Sequence, residues 1–253
     1  MTQGLRRGSL VVLAGSTGMG KSTFALNIAF NISAYSKVPV AYGAYDSPPE
    51  ELIYRLLASR CDIESGRIRS SRLTKDEWLS LGNAASEVKD LPLFFFDRSC
   101  TSLQDIYEVA LDSLQSTNKN LGVLILDQLQ LLPFLKSKKD EDIESLIMEL
   151  RGLAEEKQLC VIILTQARPS AELRSDHRPL LNDLPAIDAM QTWAEMIAIL
   201  HRDEYWNPES KMMGEAELII AKNRDNPVGT IRLDFIPQYS RFTSTERASQ
   251  LDC

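Results

Sequence analysis

Residues Gly15 to Ser22 read GSTGMGKS, a complete G-x-x-x-x-G-K-[ST] element set between the apolar run SLVVLA and the amphipathic stretch KSTFALNIAFNISAY. Few patterns of this length restrict a fold as strongly. The glycines let the backbone curl until its N–H groups, and the start of the next helix, face an anion. A strand must deliver the chain and a helix must carry it away, so the element implies one strand–loop–helix unit of an α/β sheet. Gly15, Ser16, Thr17, Gly18, Met19, Gly20, Lys21, Ser22 and Thr23 then form a cradle for nucleotide phosphates. Lys21 neutralises the outer phosphates, and the Ser22 hydroxyl meets Mg²⁺.

The rest of the chain repeats the same alternation. Apolar runs at 9–14, 38–45, 92–97, 121–127, 159–165, 195–200, 216–222 and 229–236 predict strands. Helical patterns near 21–35, 49–60, 74–89, 102–116 and 140–157 lie between them. The last is the clearest, because Ile143, Leu146, Ile147, Leu150, Leu153 and Ala154 recur at helical spacing and define one buried face. Strands alternating with helices predict an α/β fold with a mostly parallel central sheet flanked by helices. NRDNPVG, between the last two runs, is made of turn formers and predicts a C-terminal antiparallel hairpin. With no repeat or linker in 253 residues, a single domain over 1–253 is expected.

A second acid marks the site. LGVLILD, residues 121 to 127, is a buried parallel strand ending in Asp127. Ligands of open α/β sheets bind at that carboxyl edge, so Asp127 is placed to hold Mg²⁺ through a water or through Ser22.

Composition narrows the setting. A net charge of −7 argues against a uniformly basic nucleic-acid binder but leaves room for a local basic strip. The four cysteines are far apart and form no C-x-x-C pair, which suits a reducing, cytoplasmic location. No run approaches the roughly 18 apolar residues of a membrane span.

Several segments occur in order: GLRRGSLVVLAGSTGMGKSTFALNIA, EELIYRLLAS, LGVLILDQLQLL, TQARPSAELRSDHRPLLNDL and IIAKNRDNPVGTIRLDF. Together they resemble the motor domain of the DnaB-type hexameric replicative DNA helicases, from Gly4 to about Phe242. The resemblance implies a RecA-like P-loop ATPase core that works as a homo-oligomeric, hexameric ring. It implies ATP and Mg²⁺ as ligands, single-stranded DNA in the central channel, and a primase or helicase loader as partner. By position, Asp127 matches the acid of the second nucleotide motif and Gln166 the γ-phosphate-sensing glutamine. Lys222 and Arg224 match the basic pair that reaches into the adjacent subunit's site, and residues two apart on a strand share a face. The N-terminal helical domain of full-length members is expected to be missing from this chain.

Two positions depart from the family pattern. Where the family has a glutamate that polarises the attacking water, alignment through EELIYRLLAS places Asp46, shorter by one methylene, roughly 1.5 Å. Catalysis of this kind is mostly positioning, so the shorter acid is expected to slow turnover, unless Asp46 merely caps a turn before Pro48 and Pro49. The second departure concerns DNA. RPSAELRSDHRPLL carries Arg168, Arg174 and Arg178 against Glu172 and Asp176, a balance of +1, and these arginines are the candidate DNA contacts. The following loop reads DLPAIDAMQTWAE, in which Pro185 removes an N–H donor and Asp188 adds repulsion. Those two departures support an alternative: a related protein that binds ATP and oligomerises but hydrolyses slowly in a regulatory or assembly role.

Overall fold

The computed structural model of the chain describes residues 4–100, 102–114, 120–135, 137 and 139–245. Nine strands form one sheet among the described residues: β1 (Ser9–Gly15), β2 (Val40–Ala44), β3 (Leu93–Phe96), β4 (Val123–Asp127), β5 (Cys160–Gln166), β6 (Met196–His201), β7 (Glu215–Asn223), β8 (Gly229–Ile236) and β9 (Arg241–Ser244). Their order is β3-β2-β4-β5-β1-β6-β7-β8-β9. Pairing is parallel from β3 to β6 and antiparallel from β6 to β9. The mostly parallel sheet and its closing hairpin are therefore as the sequence predicts. The helices are α1 (Lys21–Asn31), α2 (Pro49–Cys61), α3 (Ser65–Arg69), α4 (Lys75–Lys89), α5 (Leu103–Leu114), α6 (Asp140–Lys157) and α7 (Ile187–Trp193).

Strand alternation assigns each face its own core. Leu10, Val12 and Ala14 of β1 pack with Ile143, Leu146, Ile147 and Leu150 of α6, while Val11 and Leu13 pack with Leu26, Ala29 and Phe30 of α1 and with Leu52 and Leu56 of α2. Residues on β1, β4 and β5 are buried on both faces, which is why those runs are continuously apolar rather than alternating.

Local chemistry sets the helix ends. Pro48 and Pro49 start α2, with Glu50 and Glu51 in its first turn, and Asp62 stops it with a left-handed φ of 53°. Thr74 and Glu77 close a capping box on α4. The acidic run Asp140, Glu141 and Asp142 opens α6, whose bounds coincide with the predicted 140–157.

Several boundaries need correction. The helix predicted over 21–35 is α-helical only to Asn31 and widens into a π turn, Ile32–Ser36, before Lys37 turns left-handed at φ 54°. The helix predicted over 102–116 is seen as α5; positions 115 and 116 lie outside the described residues. α3, α7 and β9 are not legible as sequence patterns. Each is short and held by tertiary contact: Ile68 of α3 packs on Ala58 and Ile63, Ala189 and Met190 of α7 join the α6-side core, and Phe242 of β9 packs on Phe24 and Phe235.

Candidate functional site

Register decides what meets at the carboxyl edge of the sheet. Gly15 of β1 is opposite Gln166 of β5, Leu126 of β4 is opposite Ile163 of β5, and Ala44 of β2 is opposite Asp127 of β4. Four adjacent strands therefore end in one row that carries the phosphate loop, Gln166, Asp127 and, two residues past β2, Asp46. The predicted nucleotide residues are far apart in sequence but share this edge.

The loop itself is built by close backbone approach. A Cβ on Gly15 would lie 2.5 Å from the Leu200 carbonyl oxygen of β6, so only glycine fits there. Gly20, at φ 94°, caps α1 without a side-chain partner, leaving the first N–H groups of the helix directed toward the loop. Thr17 and Gly18 are exposed at the mouth, whereas Met19 is fully buried and its sulfur accepts from the Arg202 N–H at 3.3 Å. Met19 thus anchors the loop by its side chain and offers a ligand only its backbone. Ser16 and Thr23 are buried as well, Thr23 within the first turn of α1.

Lys21 is folded onto the loop, donating to the carbonyls of Gly15 at 3.0 Å and Ser16 at 2.8 Å. Burial lowers its pKa to about 8 against the opposing pull of Asp127 and Asp46. A buried cation held only by carbonyls and two nearby acids is a site suited to polyanion charge. Asp127, 3% exposed, accepts from the Tyr42 hydroxyl at 2.8 Å and is hydrogen-bonded by Ser22. Burial raises its pKa; the Ser22 and Tyr42 hydrogen bonds oppose the shift, Asp46 adds to it, and Lys21 opposes it. The hydroxyl and carboxylate in contact form a hard oxygen donor pair that fits Mg²⁺.

Asp46 does not cap. The N-cap of α2 is Pro48, with no side-chain capping bond, and the Asp46 side chain is exposed. Its backbone N–H donates to the Asp127 carbonyl at 3.3 Å, as does that of Tyr45 at 2.7 Å. The carboxylate thereby stands beside Lys21 and Asp127, close enough to act on the charge of both.

Gln166 links the strands to the loop. Its amide donates to the Thr17 hydroxyl and its carbonyl accepts from Gln128 at 3.3 Å. Gln130 ties the same segment down through Thr165 at 2.7 Å.

Lys222 and Arg224 sit elsewhere. The Arg224 N–H bonds the Glu195 carbonyl at 3.0 Å, and the Glu195 N–H bonds that of Leu10 at 2.8 Å, which puts Arg224 at the amino end of β1. Leu10 and Gly15 are five residues apart on one strand, about 17 Å. Within one chain this pair is thus at the opposite edge from the phosphate loop. Arg224 is one residue beyond β7, yet both side chains reach the end of α7: Lys222 bonds the carbonyls of Gln191 and Ala194, and Arg224 that of Thr192.

The family model of the DnaB-like helicase C terminal domain matches residues 1–244. The chain belongs to that family. A replicative DNA helicase DnaB of Geobacillus stearothermophilus is 31% identical over 250 residues, covering 98% of this chain and 55% of the relative. One of Buchnera aphidicola subsp. Acyrthosiphon pisum (strain APS) is 34% identical, covering 95% and 53%. The chain thus spans about half the length of the curated relatives it matches. A solved structure described as an ATPase domain superposes with a TM-score of 0.89 at 31% identity, over 97% of this chain and 88% of that one. A solved DnaB-like replicative helicase, described with its interactions with primase, gives 0.88 at 31% identity, over 96% and 59%.

The three candidate DNA-contact arginines of this chain are all engaged by its own carboxylates. Arg168 pairs with Asp140, Arg174 with the buried Asp183, and Arg178 with Glu217 at 2.8 Å. Any backbone phosphate must compete with these acids. Asp188 opens α7, in its first turn, and Pro185 precedes the left-handed Ala186 at φ 48°.

Sequence reasoning missed Tyr42, Gln128, Arg202 and Tyr205. Tyr42 and Gln128 read as a core aromatic and a loop residue, with no local signal of their roles. The ring of Tyr205 lies against Gly18, where a Cβ would meet it at 2.8 Å. Arg202 bonds the Gly18 carbonyl at 3.3 Å and stacks over Phe235 at 4.2 Å. The polar run RDEY directly after β6 was the available signal.

Proposed function

We propose that this chain is the ATP-hydrolysing motor of a replicative DNA helicase, moving on single-stranded DNA as a ring of identical subunits. The observation that carries this reading is the row along the β1-β5-β4-β2 edge: Lys21 on the loop, Ser22 bonded to Asp127, and Gln166 bonded to Thr17. Family membership supplies the substrate class. Ser22 and Asp127 would hold Mg²⁺, which supplies positive charge against the phosphate oxygens. Lys21 trades its carbonyl partners for phosphate oxygens, and loop N–H groups orient the chain of phosphates. Asp46, exposed beside that row, accepts a proton from the attacking water and aligns it. Gln166, bonded to the loop on one side and Gln128 on the other, transmits the presence of the terminal phosphate to the strand ends. Lys222 and Arg224, at the far edge of their own chain, act in the site of the neighbouring subunit. Arg168, Arg174 and Arg178 line the DNA path once released from their carboxylates. Primase is the proposed protein partner by likeness to the structure described with it.

ATP turnover measured with and without single-stranded DNA, with Lys21→Ala as the blank, tests the reading. DNA stimulation that vanishes in the blank supports it. Turnover indifferent to DNA, with no mobility shift of an oligonucleotide, overturns it. The relatives named above lend the slow, regulatory alternative no support.

A further inference from the structure

Next to the phosphate loop, on the side away from Asp127, lies a buried polar cluster to which the reading above gives no role. His201, 2% exposed, ends β6 one residue beyond Leu200, the residue that crowds Gly15. Directly across the antiparallel pair stands Glu217 of β7, 7% exposed. One oxygen of Glu217 accepts from Arg178 at 2.8 Å, while the other, like Nδ1 of His201, is buried without a partner among the described residues. Two unpaired buried atoms on opposed residues of neighbouring strands are spare bonding capacity, which native interiors rarely leave unused.

Arg178 belongs to the segment between β5 and α7. Arg174 is clamped there by Asp183 and the Arg178 carbonyl, and His177 stacks on Trp206 at 4.8 Å. Removing Arg178 from Glu217 alone would leave a buried carboxylate without a counter-charge, which is strongly unfavourable. His201 is the remedy built into the fold. Its imidazole faces Glu217, Arg178, Asp203 and Asp176, and it can donate to the vacated carboxylate.

We infer that Glu217 is a positioning residue shared between two partners. Bonded to Arg178 it holds the 174–180 segment against the sheet beside the phosphate loop, and bonded to His201 it releases Arg178 to face a backbone phosphate. The pair thereby couples the strand ends near the nucleotide to an arginine of the proposed DNA path. This inference rests on the single-strand reading given above for what Arg178 meets after release; the exchange between partners does not.

The test uses the whole chain, with folding checked by circular dichroism. Hydrogen exchange of the 174–180 amides is followed together with anisotropy of a labelled oligothymidylate across a salt series. Glu217→Gln is expected to speed exchange about tenfold in that segment. It also tightens oligonucleotide binding roughly fivefold at low salt and steepens the salt dependence by about 0.7, one added phosphate contact. Adding Arg178→Ala removes the gain in binding, and Glu217→Asp restores slow exchange. His201→Phe, which leaves Glu217 no second partner, weakens binding while exchange stays slow. If Glu217→Gln changes neither exchange nor salt slope while the parent chain binds the oligonucleotide, the inference falls and the helicase reading stands. If hydrogen exchange responds but no variant binds, the sharing of Glu217 between Arg178 and His201 stands and the single-strand reading falls.

Discussion

At Lys21, burial and function pull the same proton in opposite directions. Its amine, lowered to about 8 by burial against the pull of Asp127 and Asp46, is partly neutral at mildly alkaline pH while it is bonded to the Gly15 and Ser16 carbonyls. A polyphosphate favours the charged form, so nucleotide binding at pH 8 is expected to take up as much as half a proton, roughly. Titration calorimetry in two buffers of different ionisation enthalpy measures it; a buffer-independent heat refutes it. Asp46 offers a second test. Because it is not a cap and sits beside the phosphate loop, Asp46→Glu is expected to raise turnover about tenfold by restoring reach. An unchanged rate would show that the position does not touch the water. His201 carries a pH signature in stability. Burial first, and Arg178 second, hold its pKa below the ordinary imidazole value, against Glu217, Asp203 and Asp176. The unfolded chain then protonates first on acidification, so this contribution is present above about pH 6.5 and is lost as pH falls through the folded value. The fall in Tm between pH 7 and pH 5 should be shallower in His201→Gln than in the parent.

Among the elements, the phosphate loop was the most legible because its chemistry is local: the glycines, Lys21 and Ser22 are contiguous, and strand and helix flank them. The close approach of Leu200 to Gly15 was not legible, since it depends on β6 docking beside β1. Gly15→Ala would press a Cβ onto a backbone carbonyl and is expected to cost about 1–3 kcal/mol, read as a lower Tm in thermal unfolding. α7 shows the same limit. Seven residues carry too little periodicity to announce a helix, and its place is set by Met190 in the core and by Lys222 and Arg224 on its terminal carbonyls. The 168–181 segment reads as a basic strip by composition, yet its charges are met by Asp140, Asp183 and Glu217 from outside the segment. Only folding could pair them.

For the whole molecule, Lys222 and Arg224 stand at the opposite edge of the sheet from the loop of the same chain, so the role proposed for them requires a second subunit. Lys21→Ala and Arg224→Ala chains should each be inactive alone. Mixed in equal amounts, random assortment leaves about a quarter of the interfaces with both groups, so ATP turnover should reappear. No recovery in the mixture would place Arg224 outside the neighbouring site. What the sequence by itself determined was the alternation of strand and helix, the phosphate loop and the acid that ends β4, because hydrophobic period and glycine–lysine–serine chemistry act over a few residues. Tertiary structure alone decided that Gln166, Asp127 and Asp46 end in one row, that Tyr42 braces Asp127, and that Arg178 is held by Glu217 beside His201. The physical reason is that strand order and register bring together residues far apart in the chain, and no local pattern encodes which strands become neighbours.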